Sequence, residues 1–143
     1  MNIDFNFEDV DFELPDHDSL VAWIDYAVKN EGCFTGNISY VFCSDEYLWN
    51  MNKQYLGHDY YTDIITFDYV EDKYISGDLF ISIDRVGDNA KTFNVSRETE
   101  LLRVMIHGVM HLVGYDDQTD EQEAEIHKME DFYIDVYNQK FRK

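Results

Sequence analysis

Apolar positions recur along this chain first with a period of two and then with a period between three and four, and the changes mark its elements. Ile3, Phe5 and Phe7 alternate with Asp4 and Asn6, the pattern of a half-exposed strand. Asp16 to Ser19 supply helix-capping side chains; Leu20, Ile24, Ala27 and Val28 then share one helical face, and Gly32 is placed to end the helix. The run Ile38 to Cys43 is nearly continuous in apolar residues and suits an interior strand. Ser44 caps a second helix through about Leu56, with Leu48, Met51 and Tyr55 at helical spacing. Two more strands are predicted at Asp63–Val70 and Asp78–Ile83, joined as a hairpin by the acidic connection Glu71–Gly77. From Asp84 the pattern is helical: Asp84–Phe93, a segment capped by Ser96, and a long last helix opened by Thr119 and Gln122 as a capping box. The order β-α-β-α-β-β-α-α-α, without repeats or boundaries, predicts an α+β fold: one domain over residues 1–143, a small mixed β-sheet of about four strands packed with five helices.

Composition narrows the class. The 143 residues are enough for a core, and 45% hydrophobic with 16% aromatic residues excludes a disordered chain. The N-terminus MNIDFNFEDVDFE is acidic and lacks a continuous apolar stretch, and no window reaches transmembrane length. A cytoplasmic location with no membrane partner is therefore expected, with Cys33 and Cys43 as ordinary thiols. The net charge of −19 opposes non-specific binding to phosphate backbones. A metal ion and a few placed arginines can still create a local positive site in a negative protein.

Chemistry concentrates in the stretch HGVMHLVGYDD, residues 107–117. His107 and His111 lie four apart, so on a helix their imidazoles stack on one face and can converge on one ion. Val104, Met105, Ile106, Val109, Met110, Leu112 and Val113 make the rest of this helix apolar. Glu100, Arg103, His107, His111 and Gly114 form a single non-apolar stripe along it, as expected of a helix lining a cleft. Gly114 can adopt a left-handed conformation and turn Asp116 or Asp117 back towards the imidazoles. Zinc peptidases with two histidines at this spacing place a glutamate base directly after the first histidine; here that residue is Gly108, which argues against peptide hydrolysis.

The stretch resembles the signature H-G-x-x-H-L-x-G-Y-D-H of the YbeY family of metal-dependent endoribonucleases implicated in ribosomal RNA maturation. A second block, Asn52 to Phe67 (NKQYLGHDYYTDIITF), is similar to that family's other signature segment, and Ser76-Gly77-Asp78 opening a strand also fits. The resemblance implies an α+β fold, one bound zinc ion or another divalent transition metal, and RNA, an rRNA precursor, as substrate. It implies the ribosome as a partner, and no DNA partner is expected. The family's third metal-binding histidine falls at Asp117, which makes His107, His111 and Asp117 the expected ligands. A carboxylate is a legitimate ligand there but lowers the charge of the site by one unit. The family's phosphate-contacting arginine falls at Leu56, which cannot perform that role.

Arg103, one turn before His107, is a candidate replacement in substrate binding; its alternative is an ion pair with Glu100 or with an acid on another element. Tyr60 and Tyr61, adjacent in a polar loop, are candidates to stack on bases. His17 and His58 read as loop residues, and His127 is an alternative third ligand. No residue is assigned as general base. The expected activity is cleavage of single-stranded RNA. Three other readings stay open: a catalytically weak, ribosome-associated RNA-maturation module, a metal-dependent hydrolase of another substrate, and non-haem iron oxygen chemistry on a two-histidine, one-carboxylate triad.

Overall fold

The computed structural model describes residues 1–57 and 62–143. Its strands are β1 (Asn2–Phe7), β2 (Phe34–Cys43), β3 (Ile64–Asp68) and β4 (Tyr74–Ser82). Its helices are α1 (His17–Asn30), α2 (Asp45–Leu56), α3 (Ile83–Phe93), α4 (Arg97–Val113) and α5 (Asp120–Val136), and a π-helical segment, Tyr137–Phe141, continues α5. The strands form one mixed sheet in the order β1-β2-β4-β3. β1 and β4 both run parallel to β2, whereas β3 pairs antiparallel with β4.

Each helix begins where a side chain can satisfy free backbone amides. Asp16, Ser44, Ser82 and Ser96 each accept from the amide three residues on, and Thr119 and Gln122 form the reciprocal capping box. Two strands are longer than the apolar pattern predicts. β2 starts at Phe34 because a register irregularity between Thr35 and Ile38 carries the pairing through Gly36 and Asn37. β4 starts at Tyr74, so most of the expected connection is strand, and the turn is made near Asp72, which adopts φ 53°.

Strand alternation divides the apolar residues between two clusters. Ile38, Tyr40, Phe42, Ile75, Leu79 and Ile81 join the main core with α1, α4 and α5. Cys43, Leu48 and Ile65 form a smaller cluster with Tyr47, Met51, Phe67 and Phe80 beside α2. Burial pushes the Cys43 thiol up to about 12, so it stays protonated. Helix α4 is the central element of the main core. The Tyr40 hydroxyl donates to the Met105 carbonyl at 3.0 Å, tying α4 to the sheet. Gly108 faces Ile64 and Leu79 so closely that a Cβ would stand 2.9 Å from Ile64 Cδ1, and its position therefore lies on the sheet side of α4. Helix α5 is fixed in turn by a 2.7 Å hydrogen bond from Trp23 Nε1 to the Tyr133 carbonyl. No helix among the described residues is long and apolar enough to cross a membrane.

Candidate metal centre

With the sheet side of α4 occupied by Gly108 and its apolar neighbours, the polar stripe faces a cleft. Val104 and Leu112 are buried, whereas Arg103, His107 and His111 are half-buried. His107 Nε2 and His111 Nε2 stand 3.0 Å apart. The turn after α4 completes the group. Gly114 has φ 126°, and the amide of Tyr115 donates to the Met110 carbonyl at 2.9 Å, reversing the chain. The Tyr115 hydroxyl anchors that turn on Glu31 Oε1 at 2.8 Å, and the Tyr133 hydroxyl donates to Glu31 Oε2. As a result Asp117 Oδ2 lies 3.3 Å from His111 Nε2 and 3.6 Å from His107 Nε2.

One ligand atom from each of His107, His111 and Asp117 lies within 4.8 Å of the others, an arrangement that could hold a metal ion. The donor chemistry fits. Two imidazole nitrogens facing each other at 3.0 Å need a cation or a proton between their lone pairs. The cleft, about 470 Å³, is also lined by Thr62, Asp63, Thr66, Asp68 and Asp116, which adds negative potential. Asp116, the neighbouring acid weighed from the sequence, lies outside the three-residue cluster.

A second cavity of about 250 Å³, also lined by His107, holds two buried acids, Glu100 and Glu130, together with the half-buried Asp63. Glu130 is 1% exposed, and its Oε2 lies 2.6 Å from His107 Nδ1. Burial alone would depress the His107 pKa; the hydrogen bond and charge of Glu130, with Asp63 and Asp117, raise it above the ordinary value. Burial likewise opposes ionisation of Glu130, but hydrogen bonds from His107 and His127 hold its pKa down. Glu100 is 3% exposed and its Oε1 has no hydrogen-bond partner among the described residues; burial, with Asp63 and Glu130 nearby, outweighs Arg103 and pushes it up to about 7. Desolvation also raises the Asp63 carboxyl.

Arg103 is ion-paired with Glu130 at 3.2 Å, Asp131 at 2.9 Å and Glu100 at 3.8 Å. His127 directs Nδ1 to Glu130 Oε1 at 3.1 Å and takes no part in the three-residue cluster. His17 is exposed and packs edge-on against Phe5. Leu56 is 44% exposed at the end of α2. Tyr60, Tyr61 and His58 lie outside the described residues. Asp63 and Glu130 were not anticipated as site residues. Glu130 was detectable, because Ile126, Tyr133, Ile134 and Tyr137 place it on the apolar face of α5.

A sequence model of endoribonuclease YbeY matches residues 3–138. An endoribonuclease YbeY of Amoebophilus asiaticus is 45% identical over 134 residues, covering 93% of this chain and 91% of its own length. One from Parabacteroides distasonis is 49% identical over 118 residues, 82% of this chain and 83% of the relative. A Thermotoga maritima protein solved in solution superposes with a TM-score of 0.69 at 30% identity, covering 94% of this chain and 88% of that one. The chain belongs to the endoribonuclease YbeY family.

Proposed function

We propose that this chain is a single-strand-preferring endoribonuclease that matures ribosomal RNA precursors, holding one divalent ion, zinc, on His107, His111 and Asp117. The observation that carries this reading is the convergence of three donor atoms within 4.8 Å in an open cleft, in a chain of this family. A bound ion would supply a water of lowered pKa or polarise a phosphoryl oxygen, so no separate glutamate base is required. Two imidazoles and one carboxylate leave coordination positions open to water and substrate, as catalytic rather than structural sites do.

The protein groups around the ion divide the remaining work. Thr66 lines the cleft with a hydroxyl able to donate to a phosphate oxygen, while the Thr62 hydroxyl donates to the Ile64 carbonyl at 3.4 Å. Tyr60 and Tyr61, in the signature block, are assigned to stacking on unpaired bases. The three acids around Arg103 favour the ion-pair role weighed for it over phosphate contact. The proposed location is the cytoplasm, and the ribosome is the proposed partner.

Cleavage of an unstructured RNA oligonucleotide, compared with a stable hairpin, tests the reading. Chelation should abolish cleavage, added zinc should restore it, and His107→Ala should remain inactive with zinc present. Cleavage that survives both chelation and His107→Ala would refute the mechanism. Ribosome binding without cleavage under any metal would favour the maturation-module reading.

A further inference from the structure

Given the metal site proposed above, we infer that Glu130 is its positioning residue: it holds the proton of His107 on Nδ1, thereby presenting Nε2 to the ion, while Arg103 and His127 keep Glu130 in place. The two carboxylate oxygens are divided between these tasks. Among the described residues Oε2 takes only His107 Nδ1, at 2.6 Å, the short distance of a charge-assisted hydrogen bond. Oε1 takes Arg103 Nη1 at 3.2 Å and His127 Nδ1 at 3.1 Å. An ionised carboxylate only accepts, so the imidazole facing it must donate, and its proton is assigned to Nδ1. Nε2 is then the nitrogen directed at His111 and Asp117.

A carboxylate that is 1% exposed is costly to keep ionised unless it is paired. Arg103 supplies that counter-charge, which gives this arginine a function in the site without contact to RNA. The acid also sits on a rigid support, since α5 carries it one turn from Tyr133, whose carbonyl accepts from Trp23 Nε1. Partners of this kind fix the orientation and raise the basicity of a ligating histidine, and their loss typically weakens metal affinity roughly 10–100-fold.

The test uses the full chain, metal-free, with ¹⁵N-labelled histidine, read by long-range ¹H–¹⁵N correlation at alkaline pH, His107→Ala identifying the signal. The same proteins are then titrated with zinc against a chromophoric chelator, and circular dichroism checks folding. The parent should carry the His107 proton on Nδ1. Glu130→Leu should lose that preference and bind zinc roughly 10–100-fold more weakly. Glu130→Gln, whose single amide oxygen cannot accept from both His107 and Arg103, should keep the fold and bind zinc more weakly than the parent. A parent with the proton on Nε2, or a folded Glu130→Leu binding zinc as tightly as the parent, would overturn the inference. A purely structural role would lower stability without moving the tautomer. If the parent bound no zinc, the metal reading would fail, and the tautomer would still decide the Glu130–His107 arrangement.

Discussion

Asp117 reaches the two imidazoles only because Gly114 turns the chain at φ 126°, a conformation that side chains other than glycine rarely adopt. If Asp117 is the third ligand, Asp117→Ala should weaken zinc binding by more than the roughly 10–100-fold expected for losing a second-layer partner. Asp117→His should retain zinc and move the pH–rate profile to lower pH, because a neutral imidazole leaves the ion more electron-poor than a carboxylate does. Equal zinc affinity in Asp117→Ala and the parent would place the third ligand elsewhere. Glu100 gives a separate prediction, on stability. Its folded-state pKa, about 7 against an ordinary 4.5, means that the folded chain binds its proton more tightly. Its effect on stability is therefore absent below about pH 4.5, grows as a cost between about pH 4.5 and 7, and levels off above that at on the order of 3 kcal/mol. Denaturant unfolding of the metal-free chain across this range should show Glu100→Gln removing most of that loss. Parallel parent and variant curves would contradict it.

Among the elements, α4 positions the two histidines, the turn after it brings Asp117, and β3 and β4 form the floor beneath α4. Gly77 shows how tightly these parts close: a Cβ there would stand 2.7 Å from the Phe67 carbonyl oxygen of β3 and 3.0 Å from the Leu112 methyls of α4. Gly77→Ala should therefore cost about 1–3 kcal/mol and loosen the cleft as β3 or Leu112 moves aside. Thermal unfolding with zinc titration checks this, and an unchanged midpoint with unchanged affinity would show that the contact yields freely. The helices were largely legible in the sequence because capping side chains and apolar periodicity are local signals. Ser44, Ser96 and Thr119 each open a helix where the pattern predicts. The start of β4 was not legible, since Gly77 resembles a turn residue and its pairing with Ile38 of β2 joins positions far apart in the sequence. The π-helical segment after α5 carries no distinguishing local signal. Of the site, the histidine pair and the acidic turn were legible from spacing and glycine. Glu130 was masked by the many acids of α5, and only its place on the buried face distinguishes it.

For the whole molecule, a net charge of −19 must be reconciled with an RNA substrate. The cleft itself carries Asp63, Asp68, Asp116 and Asp117, so without an ion it repels phosphate. Several cations are also engaged internally: Arg85 with Asp45, Arg103 with three acids, and Arg142 with Glu98. RNA affinity should accordingly depend on the metal and respond weakly to salt, with a log–log slope of only about −1, corresponding to one or two phosphates at about −0.7 each for single strands. Fluorescence anisotropy with a labelled oligonucleotide over a salt series measures it; a steep slope in the metal-free chain would contradict this and require a basic surface that binds RNA without the ion. Whether His107, His111 and Asp117 jointly hold the ion is decided by anomalous diffraction at the zinc edge from zinc-loaded crystals of the full chain. One peak is expected, within about 2.0–2.2 Å of His107 Nε2, His111 Nε2 and an Asp117 carboxylate oxygen. Zinc bound elsewhere, or held by the two histidines with a third ligand other than Asp117, would contradict that assignment.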